Sequence, residues 1–170
     1  FFGESLYKTL YRIPEQEERL HFLVQQVERM TGLQEFGIYM NKLLTIDALF
    51  LNEDRHTHNI AVLMNGKGDY AYCPIFDNGA GLLADTTMDY PLSGDVYTLM
   101  DNVQSKTVCS EFDEQLEISE ALYKANLEFS FTKKDVTELL KNAEVYPEEI
   151  RNRVETIIFA QMRKYTYLFS

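Results

Sequence analysis

Leu20, Leu23, Val24, Val27 and Met30 recur at helical spacing, the period of one helix face. Ile13-Pro14 precedes them, Glu15, Glu17 and Glu18 suit a positive helix N-terminus, and Gly32 offers a stop. A helix is therefore predicted from Pro14 to Gly32, with the proline in its first turn. A second helix is predicted over Leu33 to Leu51. Its apolar residues, among them Phe36, Met40, Leu43, Leu44, Ile46 and Leu49, fall on more than one side, so it should be well buried. Ile60 to Met64 and Tyr70 to Ile75 are strand-like, and Asn65-Gly66-Lys67-Gly68-Asp69 between them is turn chemistry. A β-hairpin is predicted there.

Downstream, Gly79 and Gly81 are expected to allow a sharp bend after Phe76-Asp77-Asn78. Thr86 to Gly94 reads as an irregular loop, Asp95 to Asn102 as a short helix, and Ser105 to Phe112 as extended chain or loop. Helices follow over Glu114 to Asn126, over Asp135 to Asn142 with Thr132 as N-cap, and from Pro147 onward along Ile150, Val154, Ile157, Ile158 and Met162. The aromatic-rich stretch Phe1 to Arg12 is expected to pack against something outside this chain. The fold class is α+β and mostly helical, a single domain over residues 1–170 with a small sheet at its centre. The chain opens on Phe1 rather than Met and is expected to be a piece of a longer protein.

Composition narrows the partners. The 170 residues carry a formal net charge of −11, which opposes a broad nucleic-acid or anionic-membrane footprint. No apolar run approaches the ~20 residues needed to cross a bilayer, and no signal peptide opens the chain. Cys73 and Cys109 are the only cysteines, without a disulfide framework or a CxxC metal knuckle. A cytoplasmic location is expected.

The chemistry gathers between Leu51 and Leu82. Asp54 and Asn59 lie on one loop, and Asp77 follows the predicted hairpin. A hairpin returns on itself, so Asn59 and Asp77 should become neighbours. A carboxylate with an amide oxygen is a hard, oxygen-only pair suited to Mg²⁺ alongside phosphate. Asp54, left off the metal, could take the proton of an attacking hydroxyl. Arg55 has two readings, a phosphate contact or the partner of a nearby carboxylate. His58 is read as structural and His21 as a surface residue. A His56-x-His58 transition-metal pair lacks a third evident ligand.

Asp54-Arg55-His56-Thr57-His58-Asn59 resembles the D-R-H-x-x-N catalytic loop of the phosphoinositide 3/4-kinase superfamily, and Phe76-Asp77-Asn78-Gly79 resembles its metal-binding segment. The layout is closest to bacterial HipA-like kinases, which share the loop, the hairpin and the later Asp. Ser110 to Leu116 is similar to a further segment of that group. The resemblance covers about Leu33 to Leu116. It implies the C-terminal lobe of a protein kinase-like fold, with Asp54 and His56 catalytic, Arg55, Asn59 and Asp77 at the nucleotide, and Asn59 and Asp77 as Mg²⁺ ligands.

The implied activity is transfer of the γ-phosphate of ATP to a Ser or Thr hydroxyl of a protein substrate. Such kinases need an N-terminal lobe bearing a phosphate-contacting Lys. Most of the 53 residues before Asp54 read as helix, and Lys8, Lys42 and Lys67 are poorly placed. The clamp over ATP is expected to be missing from this chain or to lie elsewhere in its parent. Two alternatives remain. A phosphoinositide-type lipid kinase would want a basic loop after Asp77, but Ala84 to Asp101 has no Lys or Arg and four aspartates. A non-catalytic kinase-like module would dock a partner, such as a HipB-like DNA-binding antitoxin.

Overall fold

A computed structural model describes residues 6–170. Among them are seven helices and one two-stranded antiparallel hairpin, a mostly helical α+β arrangement. The helices are α1 (Leu6–Tyr11), α2 (Gln16–Thr31), α3 (Phe36–Phe50), α4 (Val96–Asn102), α5 (Phe112–Tyr123), α6 (Lys133–Asn142) and α7 (Glu148–Lys164). The hairpin pairs β1 (Val62–Met64) with β2 (Tyr70–Tyr72). No helix of the described residues is long and apolar enough to cross a membrane. Cys73 and Cys109 are free thiols.

Helix α3 is the hub. Ten of its fifteen residues are buried, because α5 lies along it while α2 and α7 cover other sides. The α3–α5 approach is close enough that a Cβ on Gly37 would overlap the Tyr123 ring. The N-terminal half of α3 packs with Leu20, Leu23 and Val24 of α2 and with Leu10. Its C-terminal end packs with Leu116 of α5 and Ile157 of α7. Gln161 of α7 donates to the Ala48 carbonyl at 2.7 Å, a buried bond that fixes α7 against α3.

Gly32 closes α2 in the left-handed conformation at φ 75, the stop its sequence position predicted. Thr132 caps α6 in a reciprocal capping box with Asp135. The two helix-opening prolines both sit outside the first turn in which they were predicted. Pro14 precedes the Glu15 cap of α2, and Pro147 is itself the cap position of α7. Helix α3 starts at Phe36 rather than Leu33. Glu35 is left-handed at φ 64, and the Phe36 N–H is capped by the Glu28 carboxylate of α2 at 2.9 Å. Helix α5 runs Phe112–Tyr123 rather than Glu114 to Asn126.

For residues 6–12 the expectation of a missing partner is corrected. Leu10 is buried in the core beside α2, and the Tyr11 hydroxyl donates to the Lys106 carbonyl. Residues 1–5 of that stretch lie outside the described residues.

Candidate active site

The hairpin is shorter than its sequence suggested, three residues per strand. Asn65 organises its turn: Oδ1 accepts from the Lys67 and Asp69 N–H groups at 2.8 and 2.9 Å. The register pairs Val62 with Tyr72. Continued outward, it sets Asn59 level with Ile75, two residues before Asp77. Both strands are largely exposed, so the hairpin alone does not hold the two chain ends rigidly.

Arg55 does that work. Its side chain is fully buried, and its guanidinium touches five oxygens. Nε and Nη2 donate to the Asp47 carboxylate at 2.9 and 3.1 Å. Nη1 donates to the Asn59 carbonyl at 3.2 Å and also to the Phe76 carbonyl. Nη2 also donates to Asn78 Oδ1. One nitrogen thus touches the backbone of the Asp54–Asn59 loop and the Asp77 segment together, and residues on both sides of Asp77 are held.

This corrects the reading of Arg55 as a nucleotide or phosphate contact. Every nitrogen of the guanidinium is engaged, and none of the side chain is exposed. Its alternative reading, as the partner of a carboxylate, matches the geometry. The partner is Asp47, buried in the last turn of α3. Burial pushes the Asp47 carboxyl up, and hydrogen bonding and charge from Arg55, with a hydrogen bond from Asn52, pull it back. The Asn52 amide donates to Asp47 Oδ1 at 2.8 Å. Asp47 was missed at the sequence level. The available signal was a lone carboxylate on a helix otherwise apolar near its C-terminus, one turn before an Arg-bearing loop.

Asp54 sits at the surface of this scaffold, its side chain 45% exposed. Its carbonyl accepts from the His56 N–H and from the Asn59 amide, both at 2.9 Å. That second bond commits the Asn59 nitrogen and leaves Oδ1 as the group able to meet a hard cation. Asn59 itself is buried at the end of a single 3-10 turn, Thr57–Asn59. His56 caps that turn: its Nδ1 accepts from the His58 N–H at 3.2 Å. A neutral His56 ring therefore carries its proton on Nε2. The two imidazoles meet edge to face at 5.3 Å. His21, Lys42 and Lys67 are exposed.

Asp77 is exposed and left-handed at φ 55, a conformation Asp tolerates better than most residues. The bend beyond it begins at a turn that contains Gly79 and is closed by the Gly81 N–H donating to the Asn78 carbonyl at 3.4 Å. Leu82 and Leu83 take φ 57 each, whereas neither Gly79 nor Gly81 has positive φ. The Leu82 N–H ends the segment by donating to the Phe50 carbonyl of α3 at 2.7 Å.

The residues fit Mg²⁺ in type. Asn59 Oδ1 and the Asp77 carboxylate are both hard oxygen donors. Among the described residues no group of three or more His, Cys, Asp or Glu could hold a metal, so phosphate and water would have to complete the shell.

A cation the sequence reading missed stands beside Asp54. Lys106 Nζ lies 3.6 Å from Asp54 Oδ1. Its neighbour Thr107 is buried and donates through Oγ1 to the Arg55 carbonyl at 2.5 Å. The two residues are 52 positions apart in sequence from the groups they meet, so no local motif announces them. Comparison of the chain with protein-family models, curated proteins and solved structures found no match.

Proposed function

We propose that this chain is the C-terminal catalytic lobe of a HipA-like Ser/Thr protein kinase, transferring the γ-phosphate of ATP to a protein hydroxyl. The observation that carries the reading is the Arg55 guanidinium tying the Asn59 carbonyl to the Phe76 carbonyl and Asn78. It gathers the D-x-x-x-x-N loop and the I-F-D-N-G segment, the two parts such a kinase needs from its C-terminal lobe, around one buried hub.

In this reading Asp54 accepts the proton of the substrate hydroxyl. The hydroxyl oxygen forms the new bond to the γ-phosphorus, the bond to the β–γ bridging oxygen breaks, and ADP leaves with that electron pair. Mg²⁺ at Asn59 and Asp77 would supply charge neutralisation of the phosphates. His56 offers Nε2–H as a donor towards a phosphate oxygen. The exposed strands β1 and β2 form a sheet too small to be stable alone. That favours a covering element there, either the nucleotide-clamping lobe or a HipB-like antitoxin. A cytoplasmic location accompanies the proposal.

Titration calorimetry with ATP, with and without Mg²⁺, on the chain and on the longer parent protein that carries the clamp, tests the reading directly; the chain alone should bind weakly. Binding should require Mg²⁺, vanish with EDTA and be lost in Asp77→Asn. With protein substrate, Asp54→Ala should lower turnover by about 10²–10⁴-fold. Nucleotide binding indifferent to metal would favour a non-catalytic docking module instead.

A further inference from the structure

We propose that Lys106 is a phosphate-contacting residue of this site, meeting the terminal phosphoryl group of the nucleotide; the assignment rests on the kinase reading above. Phosphoryl transfer spreads negative charge over the equatorial oxygens of the moving group, and a preorganised cation there favours the transition state. The other cations near the loop are poorly suited. Arg55 is buried with its guanidinium engaged by five oxygens. Lys67 sits at the tip of the hairpin, about 15 Å along the strands from the end that carries Asn59.

Lys106 has the opposite construction. Its ammonium is 3.6 Å from Asp54 Oδ1, with the two side chains 56% and 45% exposed. A pair this solvated is weakly held, so a phosphate of higher charge can draw the ammonium away. The backbone beneath it is fixed. The Lys106 carbonyl accepts from Tyr11 at 3.2 Å. Ser105 Oγ and the Val108 N–H both donate to Gln115 Oε1 of α5, at 3.0 and 2.9 Å. Thr107 ties the same loop to the Arg55 carbonyl. The result is a charged head able to move on an immobile stem.

The two ends of the ion pair also act in sequence. The proton leaving the substrate hydroxyl arrives on Asp54 and cancels the charge that held Lys106. Negative charge is then on the transferred phosphoryl group and on ADP, which becomes the stronger partner for the ammonium.

The test compares Mg²⁺-dependent binding of a non-hydrolysable ATP analogue, AMP-PNP, with that of ADP by calorimetry on the longer parent protein that carries the nucleotide clamp. Wild type should prefer AMP-PNP. Lys106→Met should weaken AMP-PNP by about tenfold and leave ADP unchanged, and Lys106→Arg should restore most of the loss. Unchanged thermal unfolding of both variants checks the fold. Equal effects on the two nucleotides, or no effect on either, would overturn the Lys106 assignment alone. Wild type that binds neither nucleotide would overturn the kinase reading and this assignment with it.

Discussion

The loop from Asn52 to Asn59 and the segment from Phe76 to Leu83 serve one site but are built in opposite ways. In the loop, Asn52, Arg55 and Asn59 are buried, and the side-chain nitrogens of all three donate to α3 or to the chain itself. In the segment, Phe76 to Gly79 are exposed, and three residues, Asp77, Leu82 and Leu83, take left-handed backbone. The loop is positioned by the core. The exposed part of the segment around Asp77 takes its position from the loop, through Arg55, while its far end is fixed by the Leu82 N–H bond to α3 and by Leu83, buried in the core. Order at the site therefore flows in one direction, from α3 through Arg55 to Asp77.

The largest expected effect comes from breaking the source of that order. Asp47→Leu leaves a buried guanidinium that cannot lose its proton, and should cost about 3–5 kcal/mol in urea unfolding. Arg55→Met should cost less, because the Asp47 carboxyl, already pushed up by burial, can take up a proton. The double variant should recover part of the loss in a double-mutant cycle. A cost below about 1 kcal/mol for Asp47→Leu would refute the anchored loop.

A smaller effect should separate stability from function within the segment. Asp77→Val places a β-branched residue at φ 55 and should destabilise by about 1–2 kcal/mol. Asp77→Gly should instead stabilise by about 0.5 kcal/mol while abolishing the Mg²⁺-dependent binding seen by calorimetry. Equal destabilisation by both would mean the side chain, not the backbone, holds the turn. Smallest of all, Met64→Lys on the hairpin, at a position 64% exposed, should shift the unfolding midpoint by no more than about 0.5 kcal/mol. A large loss there would erase the contrast between the two segments.

Where structure followed from neighbours in sequence, the sequence was readable. The Gly32 stop, the Thr132 cap, the Asn65 to Asp69 turn and the buried α3 were all legible from residue type and period. Where structure followed from a distant group, it was not. The start of α3 at Phe36 is set by a carboxylate from α2, eight residues earlier. Helix α1 has six residues and no cap signal, and is held by packing against α2 and a bond to the 105–110 loop. At the site, Asp54, Asn59 and Asp77 were legible as residue types with useful spacing. The fate of Arg55 needed Asp47, and Lys106 needed the loop before α5 to fold back over 50 residues. The glycines were a partial signal. Gly79 and Gly81 suggested the bend and take part in the turn after Asn78, but the left-handed residues are Asp77 and two leucines, which no residue type announced.

The bond from the Leu82 N–H to the Phe50 carbonyl makes the intervening chain a closed loop with a pinned neck. Asp54, Asn59 and Asp77 all lie near that neck or at the base of the hairpin, and the hairpin tip lies at its far end. For a flexible loop, doubling its length adds only about 0.6 kcal/mol of closure entropy. Residues inserted between Lys67 and Gly68 would lengthen the loop without moving its neck. The tip is thus free to change length and recognise new surfaces, while the three site residues keep their places.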